Sequence, residues 1–275
     1  IALIYIIVAF TDIPAGAFVS GDDAVAGETR FDPGGAVAFA SIAYLILSII
    51  LGLVERYLRP PLWLVTIVFV PATFALSYLG TQFSYVFAFS HLSWSVMILI
   101  YCVAASLVPV WALLQPRGYL GGFVLYSAIA VGVIGIFFGG YSIQQPAFKS
   151  FDVGGMTGML FPFLFVTIAC GACSGFHGLV CSGTTSKQIE KESHARPVGY
   201  GAMLAEGFVA VIALVTVMIA AGDMLVGPDG RPLSAGKIYG NGIGNFLTLL
   251  IGRDNLQFAI TFGAMAFSTF VFDTL

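Results

Sequence analysis

Long apolar runs alternate with short polar breaks along this chain, and the runs lack the period-two alternation of a half-buried strand. A helix rises about 1.5 Å per residue and the hydrocarbon core of a bilayer is about 30 Å thick, so roughly 20 apolar residues make a span. Eight segments qualify: Ile1–Val19, Gly35–Val54, Leu62–Leu79, Leu92–Leu114, Gly121–Gly140, Met156–Cys181, Tyr200–Ala221 and Leu256–Leu275. Backbone in lipid must find its hydrogen-bond partners within the segment, so each is predicted as a helix. The pattern predicts an all-α integral membrane protein, a polytopic helical bundle forming a single transmembrane domain over 1–275. Ser20–Gly34, Ser182–Gly199 and Gly222–Asn255 are its long loops. Within the last, Gly240–Gly252 is apolar but too short to span, and reads as a re-entrant or interfacial helix.

Composition points the same way. With 59% apolar residues, 9% charged residues and a mean hydropathy of +0.97, the chain has too little charged surface to cover a soluble globule. Its net charge of -3 comes from so few groups that it says nothing about nucleic acid, and no block of like charges suggests a binding tail; the bilayer is the expected partner and no nucleic acid is expected. The chain starts at Ile1 inside one apolar run and stops at Leu275 inside another, which predicts an internal piece of a longer protein, truncated at both ends. Arg56, Arg59, Arg117, Lys187, Lys191 and Arg196 lie on one side, and Arg30 and Lys149 on the other together with Arg231, Lys237 and Arg253 of the loop Gly222–Asn255. Six against five decides nothing, but six against two without that loop favours a cytoplasmic placing of the first set.

Charge inside a span is costly, at least about 2.5 kcal/mol near the bilayer centre, so ionisable residues there mark function or a structural pairing. Asp12 stands in TDIPAG, where Pro14 predicts a local break that frees backbone groups for an ion or an anionic substrate. The alternative is a carboxylate that steadies a kink. His177 shares a helical face with Cys170, Ser174 and Cys181, and either carries a proton or bonds across a helix interface. Glu206 falls about two turns past Gly199 and is the first choice for a coupling carboxylate, with a structural pairing to Lys187 or Arg196 as its alternative. Asp273, in STFVFDTL, completes the set of candidate coupling residues.

The hydroxyl cluster SGTTSKQ (Ser182–Gln188) is either a carboxylate-binding break or a solvated cap. In the first reading Ser174, Ser182, Thr184 and Thr185 hold substrate and Lys187 supplies the counter-charge. Cys170, Cys173 and His177 on one helix supply neither four closed zinc ligands nor a supported set of three, so no metal and no cofactor are expected. Gly132, Gly135, Gly139 and Gly140 carry packing-type spacing, and Tyr141, Gln144 and Gln145 before Pro146 read as an outer vestibule or an interfacial turn.

Three blocks resemble the carbon starvation protein A family of bacterial inner-membrane transporters: SGFHGLVCSGTTSKQIEKESHARPVGYGAMLAEG (Ser174–Gly207), VAFTDIPAGAFV (Val8–Val19) and FGAMAFSTFVFDTL (Phe262–Leu275). The resemblance implies a multi-pass secondary transporter of the cytoplasmic membrane with a broken-helix, LeuT-like inverted-repeat core. It also implies uptake of pyruvate or small peptides during nutrient limitation, with a proton or another cation as the coupling ion. Two rivals stand beside this: a membrane nutrient sensor that binds ligand without moving it, and an intramembrane enzyme. The enzyme is weakened by the absence of HExxH, of a GxGD pair and of a GxSxG elbow, since the sequence at Ser174 is ACSGF. The chain is therefore expected not to be an enzyme.

Overall fold

The computed structural model describes residues 2–19, 31–87, 89–148, 151, 160–165, 168–169, 178, 181–220, 225–226 and 233–272. Its principal helices are α1 (Ala2–Phe18), α2 (Pro33–Tyr57), α3 (Leu62–Gln82), α4 (His91–Leu107), α5 (Leu114–Phe138), α6 (Glu192–Ile219), α7 (Ala235–Ile251) and α8 (Leu256–Phe272). Among the described residues α2, α3, α5 and α6 are long and apolar enough to cross a membrane, and α1 and α4 are shorter apolar helices. The chain is an all-α, polytopic membrane protein. It divides into two compact units, one made of Ile1–Gln144 with Ile212–Leu275 and the other of Gln145–Val211.

In the first unit the predicted loop Ser20–Gly34 ends at Asp32, because Asp32 caps α2. Its buried carboxylate accepts from the N–H groups of Gly34 at 3.1 Å and Gly35 at 3.0 Å, satisfying two of the helix's orphan donors. Pro33, whose fixed φ suits a first helical position, follows at once. A β-carbon on Gly34 would overlap the Val19 carbonyl and one on Gly35 the Ser84 carbonyl. The start of α2 is thereby wedged between the end of α1 and the turn after α3, and Lys237 of α7 donates to the same Val19 carbonyl at 3.4 Å.

Where the sequence suggested a short interfacial helix over 240–252, α7 begins at Ala235 and lies in the core, with Ile243 and Phe246 fully buried. Glycine spacing explains the difference. Gly236, Gly240 and Gly244 recur every four residues and line one face, so they let α8 run antiparallel at close range. A β-carbon on them would come within 2.8 Å of Phe267, 2.8 Å of Ala264 and 2.9 Å of Ile260 respectively. Mid-helix glycine costs roughly 0.5–1 kcal/mol in chain entropy, which this packing offsets. The α7–α8 hairpin packs on α5, α2 and α3. Gly132 of α5 sits under Ile212, Gly135 under Phe246, and Phe74 stacks on Phe262 with ring centroids 5.8 Å apart. Outward faces such as Leu62, Trp63, Ile67 and Val68 of α3 stay exposed and apolar, as lipid-facing surface requires.

In the second unit, wide helical turns cover Leu160–Leu164, with Phe161 in an extended conformation, and Cys181–Thr185. A single helical turn, Ser186–Gln188, follows, and extended Ile189 (φ −75°, ψ 121°) ends it. Helix α6 then starts at Glu192 rather than near Tyr200, so the second half of the predicted loop Ser182–Gly199 is helical. Glu192 places a carboxylate at the positive end of the helix dipole, which favours that start.

Candidate functional site

Helix α1 runs unbroken through Pro14, so the break expected in TDIPAG does not form. The Thr11 hydroxyl bonds back to the Ile7 carbonyl at 2.7 Å, one turn earlier. Asp12 instead finds a partner in another helix: its Oδ1 lies 3.3 Å from Nε2 of His91, the first residue of α4. Ser90 fixes that end of α4 by accepting from the Ser93 N–H at 3.3 Å, and the two helices are pinned by the edge-on contact of Phe18 with Trp94, 5.1 Å between centroids. Both members of the pair remain open to the surroundings, with side chains 71% and 48% exposed. An accessible carboxylate and imidazole in contact can pass a proton between them. His91 escaped the sequence reading. Its only signal is its place at the head of an apolar run, in a chain with three histidines.

The remaining candidates fall in the second unit or outside the described residues. Ser174, His177 and Asp273 are outside, as is the side chain of Thr184. Ser182 is exposed, Thr185 half-buried and Lys187 exposed, all within the turns Cys181–Gln188, where the Ser186 hydroxyl donates to the Ser182 carbonyl at 2.7 Å. The hydroxyls and the lysine are thus local neighbours, and the chain interruption lies just beyond them at Ile189. Glu206 is exposed on α6. Because α6 starts eight residues before Tyr200, Glu206 sits midway along a 28-residue helix rather than two turns from its start.

Arg117 differs most from its sequence reading. Counted above as a loop cation, it lies in the first turn of α5 with only 4% of its surface exposed. Its Nη1 donates to the Tyr101 hydroxyl of α4 at 2.6 Å, and its backbone carbonyl accepts from the Tyr44 hydroxyl of α2. The segment Gln115–Gly118 joins the helix because Pro116 is compatible with a first turn and packs beneath Gly52 of α2. Arg117 therefore ties three helices together and drops out of the loop count.

A cavity of about 90 Å³ opens at the end of α5. Gly139 closes the helix, Gly140 takes a left-handed φ of 62°, and the chain turns so that Tyr141 packs on Phe246. The Tyr141 hydroxyl donates to the Asn245 carbonyl at 3.2 Å, and the Gln144 N–H donates to the Met218 carbonyl at 2.9 Å. This strap covers a space lined by Tyr141, Thr216, Ile219, Ile238, Asn241 and Asn245. Burial pushes the Tyr141 phenol up and the positive charge of Arg253 only partly opposes it, so the hydroxyl stays a donor.

The family described as "Carbon starvation protein CstA" matches residues 1–227. The chain belongs to this family. Among its relatives, the peptide transporter CstA of Mycobacterium tuberculosis is 51% identical over 127 residues, covering 45% of this chain and 17% of that protein. The peptide transporter CstA of Helicobacter pylori is 40% identical over 210 residues, covering 72% and 31%. The pyruvate/proton symporter BtsT of Escherichia coli is 47% identical over 122 residues, covering 43% and 17%. The chain thus spans less than a third of the length of these curated relatives. No solved structure matches it.

Proposed function

We propose that this chain forms part of the membrane core of a secondary carrier that takes up pyruvate or small peptides across the bacterial cytoplasmic membrane with protons. Its membership of the CstA family, whose relatives are named as peptide transporters and as a pyruvate/proton symporter, supports transport rather than catalysis or sensing. The observation that carries the proton part is the 3.3 Å contact between Asp12 and His91, an acid and an imidazole on apolar helices with both side chains accessible. Glu206 is the second carrier of protons in this reading, being a carboxylate midway along α6, which at 28 residues is about 42 Å long against a hydrocarbon core of about 30 Å. His177 and Asp273 complete the coupling set. Ser174, Ser182, Thr184, Thr185 and Lys187 are assigned to an anionic substrate or a peptide terminus.

The test is uptake of labelled pyruvate by liposomes that contain the full-length parent protein, with and without an inward proton gradient. Accumulation that follows the gradient is the expected result. Binding without accumulation identifies a sensor, and uptake indifferent to the gradient removes the proton from the mechanism.

A further inference from the structure

The turn from α2 to α3 exposes two arginines that no acid neutralises. Arg56, in the last turn of α2, lays its guanidinium over the Trp111 ring, 5.4 Å from the centroid, and otherwise faces out. Arg59 is exposed and makes no hydrogen bond or ion pair among the described residues. In the adjoining turns 55–61 and 108–118, Glu55 is the one carboxylate against three arginines, the third being the buried Arg117. Glu55 forms no ion pair with Arg56 or Arg59, so this end of the bundle carries surplus positive charge. Arg59 also takes a left-handed φ of 47°, just past the Leu58 cap of α2, where a helix end calls for glycine. A side chain there strains the backbone, and this one returns no bond to the fold, which points to a use outside it. Two residues after Pro60, α3 starts with no side-chain cap and no acid in its first turn, leaving the positive end of its dipole without a protein anion. From the same turn runs the exposed apolar face of α3, Leu62, Trp63, Ile67 and Val68, with Tyr57 exposed at its head.

We propose that the α2–α3 turn is a binding site for the headgroup of an anionic phospholipid, with Arg56 and Arg59 on its phosphate and its acyl chains along the exposed face of α3. A guanidinium offers a planar fork of donors that matches phosphate oxygens, and two of them answer the charge of one phosphodiester. The ligand is a lipid rather than a soluble anion because the charge and the apolar face are continuous. Both α2 and α3 are long and apolar enough to cross the membrane, so the turn that joins them lies at headgroup depth, where tryptophan and tyrosine gather. Clustered basic side chains at that depth attract anionic headgroups. Trp111 holds the Arg56 guanidinium against its ring and is a positioning group.

The experiment titrates the full-length parent protein in detergent micelles with phosphatidylglycerol and, separately, with phosphatidylcholine of the same acyl chains, and counts bound lipid by native mass spectrometry. Wild-type protein is expected to hold phosphatidylglycerol at least about tenfold more tightly, since each arginine near an anionic headgroup contributes about fivefold. In the double variant Arg56→Gln, Arg59→Gly the two lipids are expected to bind within about twofold of each other. Arg56→Gln alone, expected to lose about fivefold, takes its place if the double variant does not accumulate in the membrane. Thermal unfolding without added lipid separates binding from folding. Glycine suits the left-handed position, so Arg59→Gly should unfold at or above the wild-type temperature while its affinity for phosphatidylglycerol falls about fivefold. A lowered unfolding temperature alongside unchanged lipid binding would make Arg59 structural and overturn its role. No preference in wild type, or an unchanged preference in the variants, overturns the site. Inorganic phosphate that displaces phosphatidylglycerol at equal concentration overturns the lipid assignment in favour of a soluble anion.

Discussion

Gly35→Ala tests whether the start of α2 is as tightly held as it looks. The new β-carbon would overlap the Ser84 carbonyl and come within 2.9 Å of the Asp32 carboxylate that caps the helix. The obstacle is backbone, which cannot swing aside as a side chain can. Overpacking of this kind costs about 1–3 kcal/mol, disturbing the cap costs about 1 kcal/mol, and alanine returns at most about 1 kcal/mol of helix propensity. The net expectation is a loss of about 1–3 kcal/mol. Gly122→Ala in α5 is the matched control, because no atom lies within 4 Å of its β-carbon position. There the propensity gain stands alone and the variant should gain up to about 1 kcal/mol. Detergent-induced unfolding in mixed micelles, followed by tryptophan fluorescence, suits the comparison. Trp94 is 2% exposed and packs on Phe18, next to the segment that would move. A Gly35→Ala protein within about 0.5 kcal/mol of wild type, or two variants that shift in the same direction, would refute the reasoning, since surface-like substitutions stay within that band.

Asp12→Asn and His91→Gln should each lower gradient-driven accumulation of pyruvate by at least about tenfold while leaving counterflow exchange in place, and the double variant should be no worse than either single one, because coupled residues are not additive. Equal loss of accumulation and exchange would make the pair structural. Glu206→Gln should show the same split in the same assay; if it transports normally, Glu206 is not a coupling group. Arg117→Ala removes a hydrogen bond to a charged donor, worth about 1.5–3 kcal/mol, and the unfolding titration should register that loss, with Arg117→Lys recovering only part of it because a point charge does not reproduce the guanidinium fork. Unchanged stability in both would mean that the 2.6 Å contact to Tyr101 contributes nothing.

Membership of a helical membrane class was settled along the sequence itself. A run of apolar residues that meets the bilayer's thickness has no other low-cost backbone state, so α2, α3 and α5 follow from composition and length. The capping chemistry of Asp32 and Pro33 is also local and was open to reading. The glycine spacing of α5 declared packing before any partner was known, and Ile212 and Phe246 supply it.

Tertiary structure decided what depends on partners far apart in the chain. Pro14 suggested a break, yet α1 continues as a single helix through it. The run 240–252 is too short to span, but glycine at 236, 240 and 244 gives α7 a partner in α8, and burial makes it core rather than interface. Arg117 has the composition of a loop residue and the environment of a buried one, because Tyr101 and Tyr44 reach it from other helices. The pairs Asp12 with His91 and Tyr141 with Asn245 join residues separated by whole helices. Periodicity reports which face of a helix is apolar; which polar side chain meets which is fixed only when the helices pack.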